Sequence, residues 1–209
     1  MSGIGVLREG PLHAAVKGLL AEPGDRLEVP VGRFVIDLVR ADGELVEVQT
    51  GGFGALGRKL DALLDDHRIR VVHPVAAERR IVRLDEHGEV LGARRSPKRV
   101  TAVAVFDELV AFPSLLSHPN LTIEVLLCRE DHVRAPAPVR GRRFMRDPGE
   151  RRLIAVLERI ELAARLRCST QLAQRTLYCL RAIGIVEPAG RRGRAPLHIA
   201  GSADVSGRR

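Results

Sequence analysis

The spacing of apolar positions changes several times along the first half of the chain, and each change marks an element. Leu12, Ala15, Val16, Leu19 and Leu20 recur at helical spacing over residues 10–21, with Glu9, His13 and Lys17 four apart on a neighbouring face. Pro23-Gly24-Asp25 stops that helix. Strands are predicted at about 27–31, 33–40 and 44–50. A helix follows over 55–67, with Leu56, Leu60, Leu63 and Leu64 inward and Arg58, Lys59, Asp61 and Asp65 outward. Ile69–Val75 reads as a further strand. A second hairpin is predicted around Glu86-His87-Gly88, a helix broken at Pro113 near 104–117, and a last buried strand at Leu121–Leu127.

The remainder has a different texture. Ala135-Pro-Ala-Pro-Val-Arg-Gly-Arg-Arg143 has linker composition. Beyond it, Leu153, Val156, Leu157 and Ile160 show helical spacing, Leu162–Leu166 suggests a short second helix, and Ser169 caps a third that runs to about Gly184. Ile185-Val-Glu-Pro and Leu197-His-Ile199 flank the basic tip Gly190-Arg-Arg-Gly-Arg194, which reads as a hairpin. These elements predict a winged helix-turn-helix over 150–200, after a linker at 135–149 and a first domain at 1–134, with 201–209 a disordered basic tail. Thr170, Gln171, Gln174 and Arg175 on the third helix would face a major groove, and Arg191, Arg192 and Arg194 would form the wing. A winged helix used for protein dimerisation is the alternative.

Candidate chemistry concentrates in residues 35–50. Asp37 and Glu47 interrupt two otherwise apolar runs, and ionised carboxylates are rarely buried unless paired or metal-bound. A two-residue turn at Asp42-Gly43 would put them on opposite faces. A three-residue loop Ala41-Asp42-Gly43, with Gly43 left-handed, pairs positions summing to 84 and sets Asp37 across from Glu47, Cβ atoms about 5 Å apart. Gln49 falls on the same face. Facing carboxylates favour an intervening hard cation such as Mg²⁺ or Mn²⁺. An edge hairpin with both acids in water is the competing reading.

The pattern Asp37…Glu47-Val48-Gln49, followed by a helix, resembles the PD-(D/E)xK nuclease superfamily over roughly residues 9–75, with Gln49 where Lys is usual and Ile36 where Pro often stands. The order helix–strand–strand–strand–helix–strand agrees with that superfamily's core. Pro11-Leu-His-Ala-Ala-Val-Lys17, Val46-Glu-Val-Gln-Thr-Gly51 and Tyr178-Cys-Leu-Arg-Ala182 also resemble an uncharacterised bacterial family that couples such a domain to a C-terminal winged helix. The resemblance implies an α/β (α+β) fold with a restriction-endonuclease-like mixed sheet and a C-terminal winged helix. It implies a metal held by Asp37, Glu47 and the Val48 carbonyl, with catalysis drawing on Asp37, Glu47, Gln49, Lys59 and Glu9. Two functions follow: Mg-dependent phosphodiester hydrolysis, or an inactive nuclease fold that regulates through its winged helix.

Charge distribution adds a partner. Residues 139–209 hold 16 Lys/Arg against 6 Asp/Glu, net +10, whereas residues 1–138 are at −2, which together give the overall +8. A basic excess gathered in one region is the footprint of a phosphate-binding module, so double-stranded DNA is the expected partner, with a homodimer left open. No apolar run approaches a membrane span and no signal-peptide core precedes the first helix, so the expected compartment is the cytoplasm. Cys128, Cys168 and Cys179 have no paired spacing, which argues against disulfides and zinc. Gly52-Phe-Gly-Ala-Leu-Gly57 matches a dinucleotide fingerprint, but the preceding strand carries Glu47 and Gln49 and no acidic residue follows at the needed distance. His13 and His73 could be metal ligands, but a lone His on a partly apolar element reads as a hydrogen-bonded core residue.

Overall fold

Pro11 opens α1 (Pro11–Leu20) at a position where its missing N–H costs nothing, and Leu12, Val16 and Leu20 form its buried stripe. Ala15 and Leu19, expected on that stripe, are exposed; His13 and Lys17 flank it instead. In this computed structural model the described residues are 10–116, 118–136, 149–161, 179, 186–192 and 195–200. Three strands follow α1: β1 (Arg26–Val31), β2 (Phe34–Val39) and β3 (Leu45–Val48). Helix α2 (Leu56–Leu63) then crosses to β4 (Ile69–Leu84), and β5 (Val90–Arg95) returns along β4 through the turn around His87 and Gly88. A broken helical segment comprises a 3₁₀ turn at Ala102–Val105, α3 (Phe106–Leu109) and a second 3₁₀ turn at Pro113–Leu115. It leads into β6 (Leu121–Arg134) and β7 (Glu150–Glu161).

These strands form one seven-stranded mixed sheet in the order β1-β2-β3-β4-β6-β7, with β5 also on β4. β3, β4 and β6 are parallel, and the outer pairs are antiparallel. Parallel central strands are buried on both faces, as the unbroken apolar stretches of β3 and early β4 require. One face packs Ile36, Leu45, Val71 and Val125 under Leu56, Leu60 and Leu63 of α2 and Phe106 and Leu109 of α3. The other packs Leu38, Val46, Val48 and Leu126 under Leu12, Val16 and Leu20 of α1. The free thiols Cys128 and Cys179 are both buried.

Two expectations are corrected. β4 and β6 continue to Leu84 and Arg134, well past the predicted Val75 and Leu127. Leu153, Val156, Leu157 and Ile160 lie on a strand, not a helix: β7 pairs antiparallel with β6 in the main sheet. The helical spacing arises from two bulges. Between Cys128↔Val156 and Leu127↔Glu158 the register skips Leu157, and between Arg129↔Ala155 and Glu130↔Leu153 it skips Ile154. Both skipped residues are exposed, so a period of two with two insertions imitates a period near 3.6. The sheet therefore runs through the boundary expected between 134 and 150, and a winged helix cannot begin at 150.

The C-terminal hairpin is present as β8 (Val186–Arg192) paired antiparallel with β9 (Ala195–Ala200), with Arg191 and Arg192 next to its turn. Glu9, the linker from 137 to 148, Thr170, Gln171, Gln174, Arg175 and Arg194 lie outside the described residues.

Candidate active site

The hairpin that carries the two acids closes through a three-residue loop. Gly43 has φ +85°, its N–H donates to the Arg40 carbonyl at 3.0 Å, and Arg40 N–H donates to Glu44 O at 2.9 Å. That loop sets Leu38 opposite Val46 and Val39 opposite Leu45, the register summing to 84. The ladder stops there. β2 continues with β1 through Ile36↔Val29, while β3 continues with β4 through Glu47↔Val71 and Val48↔Val72. Asp37 and Glu47 thus sit where β2 and β3 part. The Val48 N–H, which has no β2 carbonyl to meet, donates instead to Asp37 Oδ2 at 2.8 Å.

The backbone opposite is distorted at the same level. Glu28, between the partners of Ile36 and Leu38 on β1, has φ +53°, an uncommon conformation for a residue with a side chain. Lys17 of α1 forms an ion pair with Glu28. Such outliers gather at functional sites, where surrounding structure holds them.

Glu47 is buried in the centre of the sheet, which removes the solvated-edge alternative. Asp37 is only partly buried, with 18% of its side chain exposed. Lys59, in the second turn of α2, reaches back: its Nζ lies 2.5 Å from Glu47 Oε1 and 2.6 Å from the Val35 carbonyl. The approach to Oε1 has ion-pair distance without hydrogen-bond alignment, so this buried oxygen lacks an aligned donor. His13 contributes from α1, Nε2 standing 3.2 Å from Asp37 Oδ2. A recess of about 630 Å³ opens beside His13, lined also by Leu12, Thr50, Leu84, Val133 and Arg151.

The two carboxyls are pushed apart. Burial lifts Glu47 from 4.5 to about 7, against the opposing charge of Lys59 and with a further upward push from Asp37. Burial also acts to raise Asp37. The hydrogen bonds from His13 and the Val48 N–H, with the charges of His13 and Lys59, outweigh it and hold Asp37 below the ordinary carboxylate range. Separated values in neighbouring groups are a mark of functional sites.

Of the residues expected at the site, Asp37, Glu47 and Lys59 converge, with Val48 supplying its N–H to Asp37. Gln49 turns to its own loop, Nε2 donating to the Gly52 carbonyl at 2.8 Å. His73 is indeed a hydrogen-bonded core residue, Nδ1 at 2.5 Å from Gln49 O and its ring edge-on to Phe53. The glycine-rich loop meets a carboxylate of its own chain, Phe53 N–H donating to Glu108 Oε2 at 3.2 Å. His13 was missed. Its signal lay in the i, i+4 pair His13/Lys17, two polar side chains beside the Leu12–Val16–Leu20 stripe.

Among the described residues no three His, Cys, Asp or Glu side chains gather as a metal-ligand group. Asp37 and Glu47 nonetheless suit a hard cation. Mg²⁺ is commonly held by one or two carboxylates with water completing its shell, and Glu47 Oε1 has Lys59 Nζ beside it without an aligned hydrogen bond.

β7 braces the site. Arg151 donates through Nη1 to the Thr50 carbonyl at 2.8 Å, and through Nε and Nη2 to the wholly buried Glu130 at 3.0 and 2.8 Å. At the far end Arg159 pairs with Glu124, and Arg70 joins Glu124 to Glu161.

The protein is thus an α+β domain with helices on both faces of a mixed sheet and an acidic pair at its centre. No described helix is long and apolar enough to cross a membrane. Residues 10–163 match the family described as Domain of unknown function (DUF8091), and the chain belongs to that family. The match runs from α1 through the end of β7, in keeping with β7 as part of the domain. An "Uncharacterized protein" of Treponema pallidum (strain Nichols) is 30% identical over 218 residues, covering 93% of this chain and 86% of that one. No solved structure matches.

Proposed function

We propose that Asp37, Glu47 and Lys59 form a metal-dependent phosphodiesterase site of nuclease type acting on DNA. The observation that carries this reading is their convergence where β2 and β3 diverge, two carboxylates from the hairpin meeting an ammonium from the following helix. A Mg²⁺ or Mn²⁺ bound there would neutralise phosphate charge and lower the pKa of an attacking water. Asp37 and Glu47 hold the cation, with the Val48 carbonyl as a further oxygen ligand. His13 fixes the orientation of Asp37, and Lys59 supplies the positive charge that Gln49 cannot. The net +10 of residues 139–209 supports duplex DNA as substrate. Arg191 and Arg192 at the end of β8, with Thr170, Gln171, Gln174, Arg175 and Arg194, are its proposed contacts.

A second reading, a DNA-binding scaffold without turnover, is favoured by one observation: Gln49 stands in the usual Lys position with its amide nitrogen bound to Gly52. Purified protein incubated with single-stranded, duplex and branched DNA plus Mg²⁺ or Mn²⁺ separates the two. Cleavage abolished by Glu47→Ala, together with Mn²⁺ binding by calorimetry that Asp37→Asn removes, is the expected result. No cleavage of any DNA with either metal refutes the enzyme.

A further inference from the structure

Past the helices, β4 and β6 continue side by side and β5 lies along β4, making an arm rich in arginine. Most of these arginines have a carboxylate. Arg79 pairs with Glu130, Arg80 with Asp131, and Arg95 and Arg129 with Glu78. Among the described residues, Arg83, Arg94 and Arg134 have no ion pair, and all three are exposed.

Backbone register brings the three together. Arg83 on β4 is opposite Arg134 on β6 and opposite Gly92 on β5, while Arg94 on β5 is opposite Ile81 on β4. With Ile81, Gly92 and Ala93 they line one recess of about 460 Å³ that contains no acidic side chain. Like charges on directly opposing strand positions destabilise a sheet, so the fold gains nothing from this arrangement. Packing does not demand it either, since a Cβ built on Gly92 would meet nothing within 4 Å. Guanidinium groups, flat and always charged, favour phosphate oxygens and bind them through paired N–H donors.

The geometry points to a second nucleic-acid contact: Arg83, Arg94 and Arg134 hold the phosphodiester backbone of duplex DNA. Strands are about 4.8 Å apart, so side chains from three neighbours span about 10 Å. That width fits a run of phosphates, spaced about 3.4 Å along the axis in each strand, better than a single free phosphate. Leu84 and Val133, the sequence neighbours of Arg83 and Arg134, line the recess beside His13; strand side chains alternate, so the trio stands on the opposite face of the arm and does not belong to the candidate active site. This surface rests on the DNA partner named above and not on hydrolysis. Its removal acts on affinity and leaves turnover at saturating DNA unchanged.

The test is fluorescence anisotropy of a short labelled duplex with the full-length protein in EDTA, where no cleavage occurs, over a series of salt concentrations. The Arg83→Gln/Arg94→Gln/Arg134→Gln triple is expected to bind roughly tenfold or more weakly near 0.1 M salt. Its slope of log affinity against log salt should be shallower by about 2.7, at ~0.9 for each phosphate no longer neutralised. A control triple removes the same charge from exposed arginines elsewhere, Arg26→Gln/Arg33→Gln/Arg68→Gln, and should retain most of both. If the arm triple unfolds, Arg94→Gln alone on the edge strand β5 should lower the slope by about 0.9. Equal losses in the two triples, unchanged affinity in the arm variants, or no wild-type binding to duplex overturns the inference. So does arm-dependent binding to phosphatidylserine vesicles with DNA affinity intact. If the nuclease reading alone fails, cleavage is absent while the arm-dependent affinity persists.

Discussion

Glu47 makes the stability of the metal-free protein depend on pH in a direction opposite to that of Asp37. Its carboxyl ionises near 4.5 when exposed and at about 7 in the fold. Below pH 4.5 both folded and unfolded chains hold the proton, and Glu47 contributes its full stability. As pH rises toward 7 the unfolded chain releases that proton first, so native stability falls across the window and levels off above it. At ~1.36 kcal/mol for each tenfold change, the loss is about 3 kcal/mol. Asp37, shifted downward, works the other way: its contribution is present above its unfolded value and disappears on acidification. The two carboxylates can therefore be told apart by pH. Glu47→Gln cannot ionise and should lack the loss between pH 4.5 and about 7. Urea unfolding in EDTA across that range should show the variant gaining about 3 kcal/mol on wild type. Mn²⁺ added at about pH 8 should stabilise wild type and not the variant. Parallel stability curves for the two proteins would refute the burial of an ionisable carboxyl at this position.

Lys59→Met should lower cleavage by about 10²–10³ while DNA affinity changes little, because it removes one electrostatic stabiliser from the reacting centre. Gln49→Lys should be tolerated in the same assay; a rate for Lys59→Met equal to wild type excludes Lys59 from the chemistry. Arg151→Met leaves Glu130 with Arg79 alone and frees the Thr50 carbonyl, so denaturant unfolding should report about 1–3 kcal/mol lost. An unchanged midpoint would show that the tie from β7 to the loop after β3 carries no stability.

What could be read from the sequence depended on how local its cause is. Gly43 dictated its own turn and, through it, the register that carries Asp37 to the level of Glu47. The leucines of α2 and the turn around Gly88 were legible for the same reason. The length of β4 and β6 was not: residues 80–93 read as a hairpin separate from the strand at 69–75, and that its first strand continues β4 is seen only once Glu130 and Asp131 are brought opposite Arg79 and Arg80. β7 was misread because its bulges are answered by β6, more than twenty residues away. His13 enters the site only because α1 packs where β2 and β3 separate, a tertiary fact with no local pattern. Gln49 was placed by strand alternation, which ends with β3 at Val48 and says nothing of a side chain folding onto the following loop.

The pairing of β7 with β6 also governs how the chain can reach this fold. β3, β4 and β6 are parallel, and each contact between them closes a long segment before any ladder forms, which slows folding. Until residue 161 is available, β6 presents an open edge of unpaired N–H and C=O groups flanked by Leu126, Val125 and Val133. Exposed edges of this kind template association with other chains. A protein shortened at residue 149 would keep every carboxylate of the candidate site yet leave that edge bare, so it should aggregate on refolding where a chain ending beyond β7 stays monodisperse.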